Sequence, residues 1–252
     1  MRGLNGMRVI VTGGASGIGA ATCLRLAEEG AIVGIFDRDA ARAADVARTC
    51  AGGAARAYDV DITDEARVQQ AVATFEQEVG PTDGLANIAG WDKAANFLDT
   101  DRALWDRIIQ INLYGPLIMH KVVLQRMAER GRGRVVNVAS DAGRVGSSGE
   151  AVYAACKGGV IALTKTLARE LARQGITLNV VCPGPTDTPL FQDFAASMPG
   201  GEKLRDALAR AIPLRRLGRP DDYPGMIAFL LSDDAAFITG QAISISGGLT
   251  MV

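Results

Sequence analysis

Short apolar runs rich in β-branched residues alternate along this chain with longer segments in which apolar residues recur at helical spacing. The short runs predict strands at residues 8–12, 31–36, 54–60, 84–86, 135–139, 176–181 and 242–245. The longer segments predict helices at residues 20–29, 40–50, 65–79, 104–130, 152–173 and 222–231. The sequence contains no repeat, low-complexity tract or linker, so the pattern indicates a single domain over residues 1–252.

Strands that are apolar on both faces and are separated by helices imply a parallel sheet that is covered on both sides. Crossovers between parallel strands are nearly always right-handed. The expected fold is therefore α/β: one doubly wound (Rossmann) domain with a parallel seven-stranded sheet and helices on both faces. The ligand crevice of such a sheet lies beyond the carboxyl ends of its strands, and we expect the chemistry to stand directly after strands.

A glycine-rich turn follows the first predicted strand and opens the first helix. Its glycines allow a tight turn and a close approach of the backbone to a ligand, and the free N–H groups of the helix N-terminus favour a pyrophosphate. The spacing is G-x-x-x-G-x-G rather than G-x-G-x-x-G, and the loop lacks the Lys-Ser/Thr of an ATP-binding phosphate loop. The candidate cofactor residues of this turn are Gly13, Ser16, Gly17, Ile18 and Gly19.

Asp37 ends the second predicted strand, 20 residues after Gly17. A carboxylate at this place accepts hydrogen bonds from the adenosine ribose hydroxyls of a dinucleotide and repels the 2′-phosphate of NADP. The adjacent Arg38 could attract that phosphate, but the glycine loop carries no basic residue, and we predict NAD as the cofactor. Three further candidates follow later strands. Asp61 and Ile62 are placed to contact adenine, and Asn87 is placed to close the floor of the crevice.

Tyr153 and Lys157 are one helical turn apart after the fifth predicted strand, so their side chains share a helix face. An ammonium group beside a phenol favours the phenolate and lowers the phenol pKa from about 10. Such a tyrosine can exchange a proton with an alcohol oxygen near neutral pH, and Ser140, at the strand end, can hydrogen-bond the same oxygen. With a nicotinamide as hydride carrier, these residues would interconvert an alcohol and a ketone.

Composition argues against several other functions. The chain has 27 Lys+Arg and 28 Asp+Glu, a balance that speaks against nucleic acid or an anionic membrane as a partner. No apolar run approaches the roughly 20 residues that span a bilayer, and residues 1–8 lack the apolar region of a secretory signal. The four scattered cysteines indicate reduced thiols and a cytoplasmic protein. His120 is the only histidine, so we expect it to pack inside its helix, and we expect no metal site.

Six features stand in order along the chain: the glycine loop at 12–19, Asp37, Asn112, Ser140, Tyr153 and Lys157. In this order and spacing they resemble the classical short-chain dehydrogenases/reductases, and the likeness runs nearly from end to end. The resemblance implies that Tyr153 is the general acid/base, that Lys157 binds the nicotinamide ribose and that Asn112 holds a water in a proton relay. It also implies cofactor contacts at Ala89, Gly90, Pro183, Gly184, Thr186 and Thr188.

One departure from the family pattern is visible. The usual Asn-Asn-Ala-Gly reads Asn-Ile-Ala-Gly at residues 87–90. The first Asn is retained, so the departure puts the stability of this loop in doubt more than the activity.

Residues 90–92, 140–157, 181–188 and 246–251 are similar to segments of the family members that oxidise 2-hydroxycyclohexanecarboxyl-CoA, a ring β-hydroxyacyl thioester. This resemblance implies a cyclic or β-hydroxyacyl-CoA as substrate. Trp91, Arg144 and the segment 190–211 would then shape the pocket, with substrate-loop helices at about 188–212.

Two alternatives stay open. A 3-oxoacyl-carrier-protein reductase of the same family would prefer NADPH and present a basic docking patch, which Asp37 and the balanced charge do not favour. A dinucleotide-binding regulator that no longer catalyses would not need Ser140, Tyr153, Lys157 and Asn112 together.

The resemblance also implies a homo-oligomer, and we expect a tetramer. The predicted helices at 104–130 and 152–173 are the candidate paired surfaces, and the apolar C-terminus at 249–252 is a second one.

Overall fold

Seven parallel strands form one sheet in the computed structural model, which describes residues 1–196 and 201–252. In chain order the strands are β1 (Arg8–Thr12), β2 (Ile32–Asp37), β3 (Ala55–Asp59), β4 (Gly84–Asn87), β5 (Gly133–Val138), β6 (Ile176–Pro183) and β7 (Ala242–Ile245). Their order across the sheet is β3-β2-β1-β4-β5-β6-β7, with every pairing parallel. The predicted strands agree with these bounds to within two residues.

Helices cover both faces of the sheet. They are α1 (Gly17–Glu28), α2 (Ala40–Thr49), α3 (Glu65–Val79), α4 (Arg102–Ile109), α5 (Gly115–Arg130), α6 (Ala142–Val145), α7 (Ala151–Leu171), α8 (Pro189–Ala196), α9 (Gly201–Ala211) and α10 (Pro224–Leu231). Short 3₁₀ turns lie at Ala51–Gly53, Phe97–Asp99, Ala172–Gln174, Pro220–Asp222 and Asp233–Ala235. No helix in the described part of the chain has the length and apolarity needed to cross a membrane.

Alternate residues of each strand build two separate cores. Val9 and Val11 of β1 pack in the cluster that includes the buried faces of α1, α2 and α10. Ile10, between them, packs in the second cluster with α3, α5 and α7. Successive strand side chains point to opposite faces, so strands apolar on both faces require this double cover. The single doubly wound α/β domain is therefore confirmed.

The prediction of one continuous helix over residues 104–130 is wrong. A π-helical segment, Gln110–Tyr114, separates α4 from α5, and the amide of Gly115 donates to the carbonyl of Gln110, five residues back. Pro116 has no N–H, so the α-helical hydrogen bond to the carbonyl of Asn112 cannot form. The proline therefore marks the place where the helix changes its hydrogen-bond pattern, and Asn112 lies inside the altered segment.

Two predicted helix starts also differ from the structure. α1 begins at Gly17 rather than at residue 20, so its first turn belongs to the glycine loop. α10 begins at Pro224 rather than at residue 222, after the 3₁₀ turn Pro220–Asp222. Proline favours the first turn of a helix, where its missing N–H would have no partner.

The crevice follows from the strand order. β1 is flanked by β2 on one side and by β4 on the other, and the chain crosses to opposite halves of the sheet from this point. Connections after such neighbouring strands diverge and leave a cleft at the carboxyl edge. The glycine loop after β1 and the loop after β4 border this cleft.

Candidate active site

One cavity of about 860 Å³ lies along the carboxyl ends of the strands. Every predicted site residue except Asn87 and Asn112 lines it. These are Gly13, Ser16, Gly17, Ile18, Gly19, Asp37, Asp61, Ile62, Ala89, Gly90, Ser140, Tyr153, Lys157, Pro183, Gly184, Thr186 and Thr188. The fold thus brings residues from seven separate segments of the sequence into one continuous site.

The glycine loop forms a backbone cradle at one end of the cavity. A Cβ atom on Gly19 would overlap the carbonyl group of Gly13, and a Cβ on Gly13 would lie 2.7 Å from the Cα of Ala89. Ser16 is the N-cap of α1, and its side chain makes no capping hydrogen bond. The first N–H groups of a helix need partners from outside the helix. The cradle therefore fits a pyrophosphate, which supplies acceptor oxygens and negative charge.

Asp37 is held in place by the backbone. Its Oδ2 accepts a hydrogen bond from the amide of Ala15 at 3.0 Å, and its Oδ1 accepts one from the amide of Asp39 at 3.0 Å. Each carboxylate oxygen keeps a further lone pair for a ligand hydroxyl. Arg38 also lines the cavity and is exposed. The carboxylate is thus fixed at the edge of the cleft before a ligand arrives.

Asn87 lies beneath the cavity rather than on its wall. Its Nδ2 donates to Asn137 Oδ1 at 3.0 Å, and Asn137 Nδ2 donates to Thr164 Oγ1 at 2.8 Å. This buried chain of hydrogen bonds links β4 through β5 to α7. Thr12 Oγ1 accepts from the amides of the next two loop residues, 88 and 89. Thr12 was noted in the sequence only as the first residue of the glycine loop. The residues at 137 and 164 were not singled out, because buried polar residues carry no pattern of their own.

Tyr153 and Lys157 share one face of α7, as their spacing predicts. Lys157 is buried, donates from Nζ to the carbonyl of Val138 at 3.0 Å, and lies 5.4 Å from the centroid of the Tyr153 ring. Ser140 follows β5, and its hydroxyl lies close enough to Tyr153 to affect the phenol. Strand end and helix therefore bring a hydroxyl, a phenol and an ammonium group to the same wall of the cavity.

Asn112 lies behind this wall and fixes the loop after β4. Its Nδ2 donates to the carbonyls of Trp91 at 2.6 Å and Ile108 at 2.9 Å, and its Oδ1 accepts from the amide of Trp91 at 3.3 Å. A Cβ on Gly90 would lie 3.1 Å from Asn112 Oδ1 and 3.4 Å from Lys157 Nζ. Because Gly90 has no side chain, the Asn112 amide and the Lys157 ammonium group can approach each other.

The protonation of Tyr153 differs from the expectation. Its pKa is raised, first by burial and then by the charges of Glu150 and Asp92, while the Ser140 hydroxyl acts in the opposite direction. The predicted lowering of this pKa is therefore not found in the chain by itself, where burial dominates. Burial also lowers the pKa of Lys157 to about 8, while Asp92 acts in the opposite direction, so the ammonium stays mainly protonated at pH 7.

Two carboxyl groups in the cavity wall were missed. Asp92 follows the Gly90 loop, and Glu150 precedes α7 as its N-cap residue; both line the cavity. The only signal in the sequence is that Asp92 stands a few residues after a strand, where ligand-binding residues gather. Nothing in the sequence relates it to Glu150.

The expected substrate end of the cavity is mostly apolar. Trp91 lines it, and the guanidinium of Arg107 stacks on the indole 3.8 Å from its centroid. Arg144 points away instead and donates to the carbonyl of Ala242 and to Ser244 Oγ, so its expected role in shaping the pocket is wrong. Apolar side chains from the segment 190–211 line the rest, namely Leu190, Phe191, Phe194, Leu204 and Leu208. Residues 197–200 of that segment lie outside the described residues.

Thr186 and Thr188 are tied into the end of β6 and the start of α8. Thr186 Oγ1 donates to the carbonyl of Gly184 at 2.7 Å and lies 2.5 Å from Tyr223 Oη. Thr188 Oγ1 accepts from the amide of Phe191 at 3.2 Å. A Cβ atom placed on Gly17 would lie 3.4 Å from the Thr188 methyl group. The loop after β6 therefore meets the glycine cradle across the cleft.

His120 and the cysteines take no part in this site. His120 is buried, with Nδ1 2.6 Å from the carbonyl of Pro116, and burial lowers its pKa to about 4. The packing role expected for it is confirmed. The four cysteines of the chain are buried free thiols, and no metal-binding cluster of His, Cys, Asp or Glu occurs within residues 1–196 and 201–252.

A dinucleotide cradle joined to a hydroxyl–phenol–ammonium cluster defines an oxidoreductase of the nicotinamide-dependent class. A family model described as enoyl-(acyl carrier protein) reductase matches residues 13–250. The chain belongs to the classical short-chain dehydrogenase/reductase family. It is accordingly an oxidoreductase that acts on CH–OH groups, interconverts secondary alcohols and ketones, and binds a nicotinamide dinucleotide.

Relatives and solved structures agree with this assignment. The chain is 38% identical to 2-(S)-hydroxypropyl-CoM dehydrogenase 3 of Xanthobacter autotrophicus, over 97% of this chain and 96% of that protein. It is 37% identical to (3R)-3-hydroxyacyl-CoA dehydrogenase of Rattus norvegicus, over 96% and 95%. The crystal structure of 3-ketoacyl-(acyl-carrier-protein) reductase from Brucella melitensis complexed with NADH superposes with a TM-score of 0.90 at 35% identity, covering 98% of this chain and all of that one.

Proposed function

We propose that the chain is an NAD-dependent dehydrogenase of a cyclic or β-hydroxyacyl thioester, such as 2-hydroxycyclohexanecarboxyl-CoA. The observation that carries the proposal is the single cavity in which Tyr153, Lys157 and Ser140 adjoin a glycine cradle edged by Asp37. Residues 1–252 would act as one domain, with α8 and α9 as its substrate-loop helices.

The chain's own residues hold the substrate and move one proton. The dinucleotide, when bound, supplies the hydride acceptor or donor. Ser140 Oγ hydrogen-bonds the substrate oxygen, and Tyr153 Oη takes its proton in oxidation or returns it in reduction. Lys157 binds the nicotinamide ribose and adds positive charge beneath the phenol. Asn112 keeps the loop after β4 in place and holds a water that carries the proton onward.

The cofactor preference is proposed to be NAD over NADP. The Asp37 carboxylate, fixed by the amides of Ala15 and Asp39, favours the two ribose hydroxyls and repels a 2′-phosphate. Pro183, Gly184, Thr186 and Thr188 would contact the nicotinamide end, and Asp61 and Ile62 would contact adenine.

The substrate proposal rests on the shape and chemistry of the second half of the cavity. Trp91 and the apolar side chains of α8 and α9 suit a hydrocarbon ring. Relatives named for CoM-linked and CoA-linked hydroxy substrates support a substrate that carries a thiol-linked tail. Segments shared with 2-hydroxycyclohexanecarboxyl-CoA dehydrogenases favour the ring thioester.

Initial rates on a matched panel test the function. The panel holds a ring β-hydroxyacyl-CoA, a linear β-hydroxyacyl-CoA and two plain secondary alcohols, each with NAD⁺ and NADP⁺. We expect kcat/KM for the ring thioester with NAD⁺ to exceed that for the plain alcohols by at least about 100-fold, a gap of about 3 kcal/mol. Comparable rates on plain alcohols and none on thioesters would contradict the substrate assignment.

The same panel separates the alternatives. A preference for NADPH with a carrier-protein thioester would indicate a 3-oxoacyl-carrier-protein reductase. Tight binding of NADH without turnover of any ketone would indicate a dinucleotide-binding regulator.

We propose a homotetramer as the assembly. Exposed apolar side chains support it, because Tyr114 and Leu117 lie on the surface where α5 begins, and Met251 is 79% exposed at the C-terminus. Sedimentation equilibrium is expected to give the mass of four 26.4 kDa chains. A monomeric mass over the micromolar range would contradict the proposal.

We propose the cytoplasm as the compartment. The support is the set of four buried free thiols, which a reducing environment preserves.

A further inference from the structure

Two acidic side chains line the cavity together with the proposed proton donor, Tyr153. Asp92 is 7% exposed, and Glu150 is half-buried at the start of α7. Neither has a role in the mechanism given above.

The Asp92 carboxyl group is incompletely satisfied. Neither of its oxygens accepts a hydrogen bond of ordinary geometry from the described residues, although the amide of Lys93 lies near. The Glu150 carboxyl is near enough to influence the protonation of Asp92, and the amide of Glu150 donates to the carbonyl of Ser147 at 3.3 Å. A buried carboxylate without donors is costly, so a ligand that supplies a polar partner would be stabilised here.

Burial raises the pKa of Asp92 to about 7, with Glu150 acting in the same direction, and burial also raises the pKa of Glu150. The other titratable groups that face the pair are Tyr153, Cys156 and Lys157 of α7. Two carboxyl groups that share a buried site do not both ionise readily. We therefore expect the pair to hold a proton more firmly than two separate carboxyl groups would, mainly on Asp92, and to remain acidic.

We propose that Asp92 and Glu150 form a specificity site that receives a neutral polar group of the substrate next to the reacting carbon and excludes a carboxylate there. A carboxyl pair with one proton can donate to a carbonyl oxygen and accept from a hydroxyl. A carboxylate in the same place would add a second negative charge in a poorly solvated pocket. The site thus selects thioesters and esters against the free hydroxy acids.

This inference rests on the proposed function and extends it, because it explains why an acyl thioester rather than its free acid would be the substrate. Both residues line the cavity together with Tyr153, and the proposal therefore puts the pair next to the group attached to the carbon that reacts. Rejection of a competing ligand through an unfavourable charge is a general device of specificity.

The decisive comparison uses 2-hydroxycyclohexanecarboxylate and its methyl ester, which differ in charge and one methyl group. For the wild type at pH 7, we expect kcat/KM with NAD⁺ to be at least about 100-fold higher for the ester. The double variant Asp92→Asn/Glu150→Gln should reduce this ratio about tenfold or more, since no carboxylate remains to repel the acid. Single variants should have smaller effects, because one acidic group remains at the site.

The matched control is Asp45→Asn/Glu28→Gln, which changes two exposed acids outside the cavity and should leave the ratio within about twofold of the wild type. An unchanged ratio in the double cavity variant would overturn the inference even if the enzyme oxidises the ester. Calorimetric titration of the NADH complex with both compounds gives a second measure. Equal or tighter binding of the carboxylate by the wild type would overturn the inference whether or not either compound reacts.

A fold control comes from the pH dependence of stability. The raised pKa of Asp92 means that the folded chain keeps a proton which the unfolded chain has released. Its contribution therefore makes the unfolding free energy fall as pH rises from about 4 to about 7. Asp92→Asn should fold and remove that part of the pH dependence. If the double variant does not fold, the calorimetric comparison is repeated with Glu150→Gln. A ratio of the dissociation constants for the carboxylate and the ester equal to that of the wild type would count against the inference.

Discussion

Replacing Tyr153 with Phe is expected to lower kcat by about 10²–10⁴-fold while leaving the dissociation constant of NADH within about threefold of the wild type. The phenyl ring retains the packing of the side chain over Lys157, and only the hydroxyl that exchanges the proton is lost. Steady-state rates with the best substrate of the panel measure the first quantity. Fluorescence titration of NADH measures the second.

Tyr58→Phe is the matched control for this variant. Tyr58 donates its hydroxyl to Glu78 on the surface and does not line the cavity, so its loss should leave kcat unchanged. A Tyr153→Phe enzyme that keeps most of its activity would show that another group moves the proton.

The surroundings of Tyr153 determine its protonation state before a reaction. Burial, Glu150 and Asp92 raise its pKa in the chain alone, which keeps the phenol protonated. That state suits donation of a proton to a ketone oxygen, the direction of reduction. Oxidation requires the phenolate, and Lys157 supplies the favourable charge. The positive charge of the oxidised nicotinamide would also favour the phenolate.

Most of the strands could be predicted well from the sequence because they are short apolar runs between turns and helices, and several are rich in β-branched residues. β1 and β7 have the predicted bounds, and β4 ends one residue later than expected. The π-helical segment Gln110–Tyr114 was missed, although Pro116 stood inside the predicted helix as a signal. Hydrophobic spacing continues through the segment, so periodicity alone cannot show that one hydrogen bond has moved.

The cofactor half of the site could be predicted because its residues follow strands directly. Asp37 and the glycine loop can be located once the ends of β1 and β2 are predicted correctly. The carboxyl pair of Asp92 and Glu150 could not be predicted from the sequence. These residues come from separate loops and meet only through the packing of α7 against the sheet. The same reason applies to Arg144, whose partners in β7 could not be inferred from its neighbours in sequence.

Replacing Asp37 with Ala is expected to lower kcat/KM for NAD⁺ by about 100-fold and to change that for NADP⁺ far less, since two charge-assisted hydrogen bonds are each worth roughly 1.5–3 kcal/mol. The variant also loses the acceptor for the amide of Ala15, which loosens the glycine loop for both cofactors. The ratio of the two kcat/KM values is therefore the measurement, and the exposed Arg38 beside it would favour the 2′-phosphate once the carboxylate is gone.

Asp37→Asn separates the two effects of this substitution. The amide oxygen of Asn can still accept from Ala15, but the negative charge that repels the phosphate is absent, so NADP⁺ should improve while the loop stays anchored. Asp39→Asn is the control, because Asp39 caps α2 by accepting from Arg42 and lies outside the cavity wall. Equal losses with both cofactors in Asp37→Ala would mean that the carboxylate serves only to hold the loop, and the preference for NAD would need another origin.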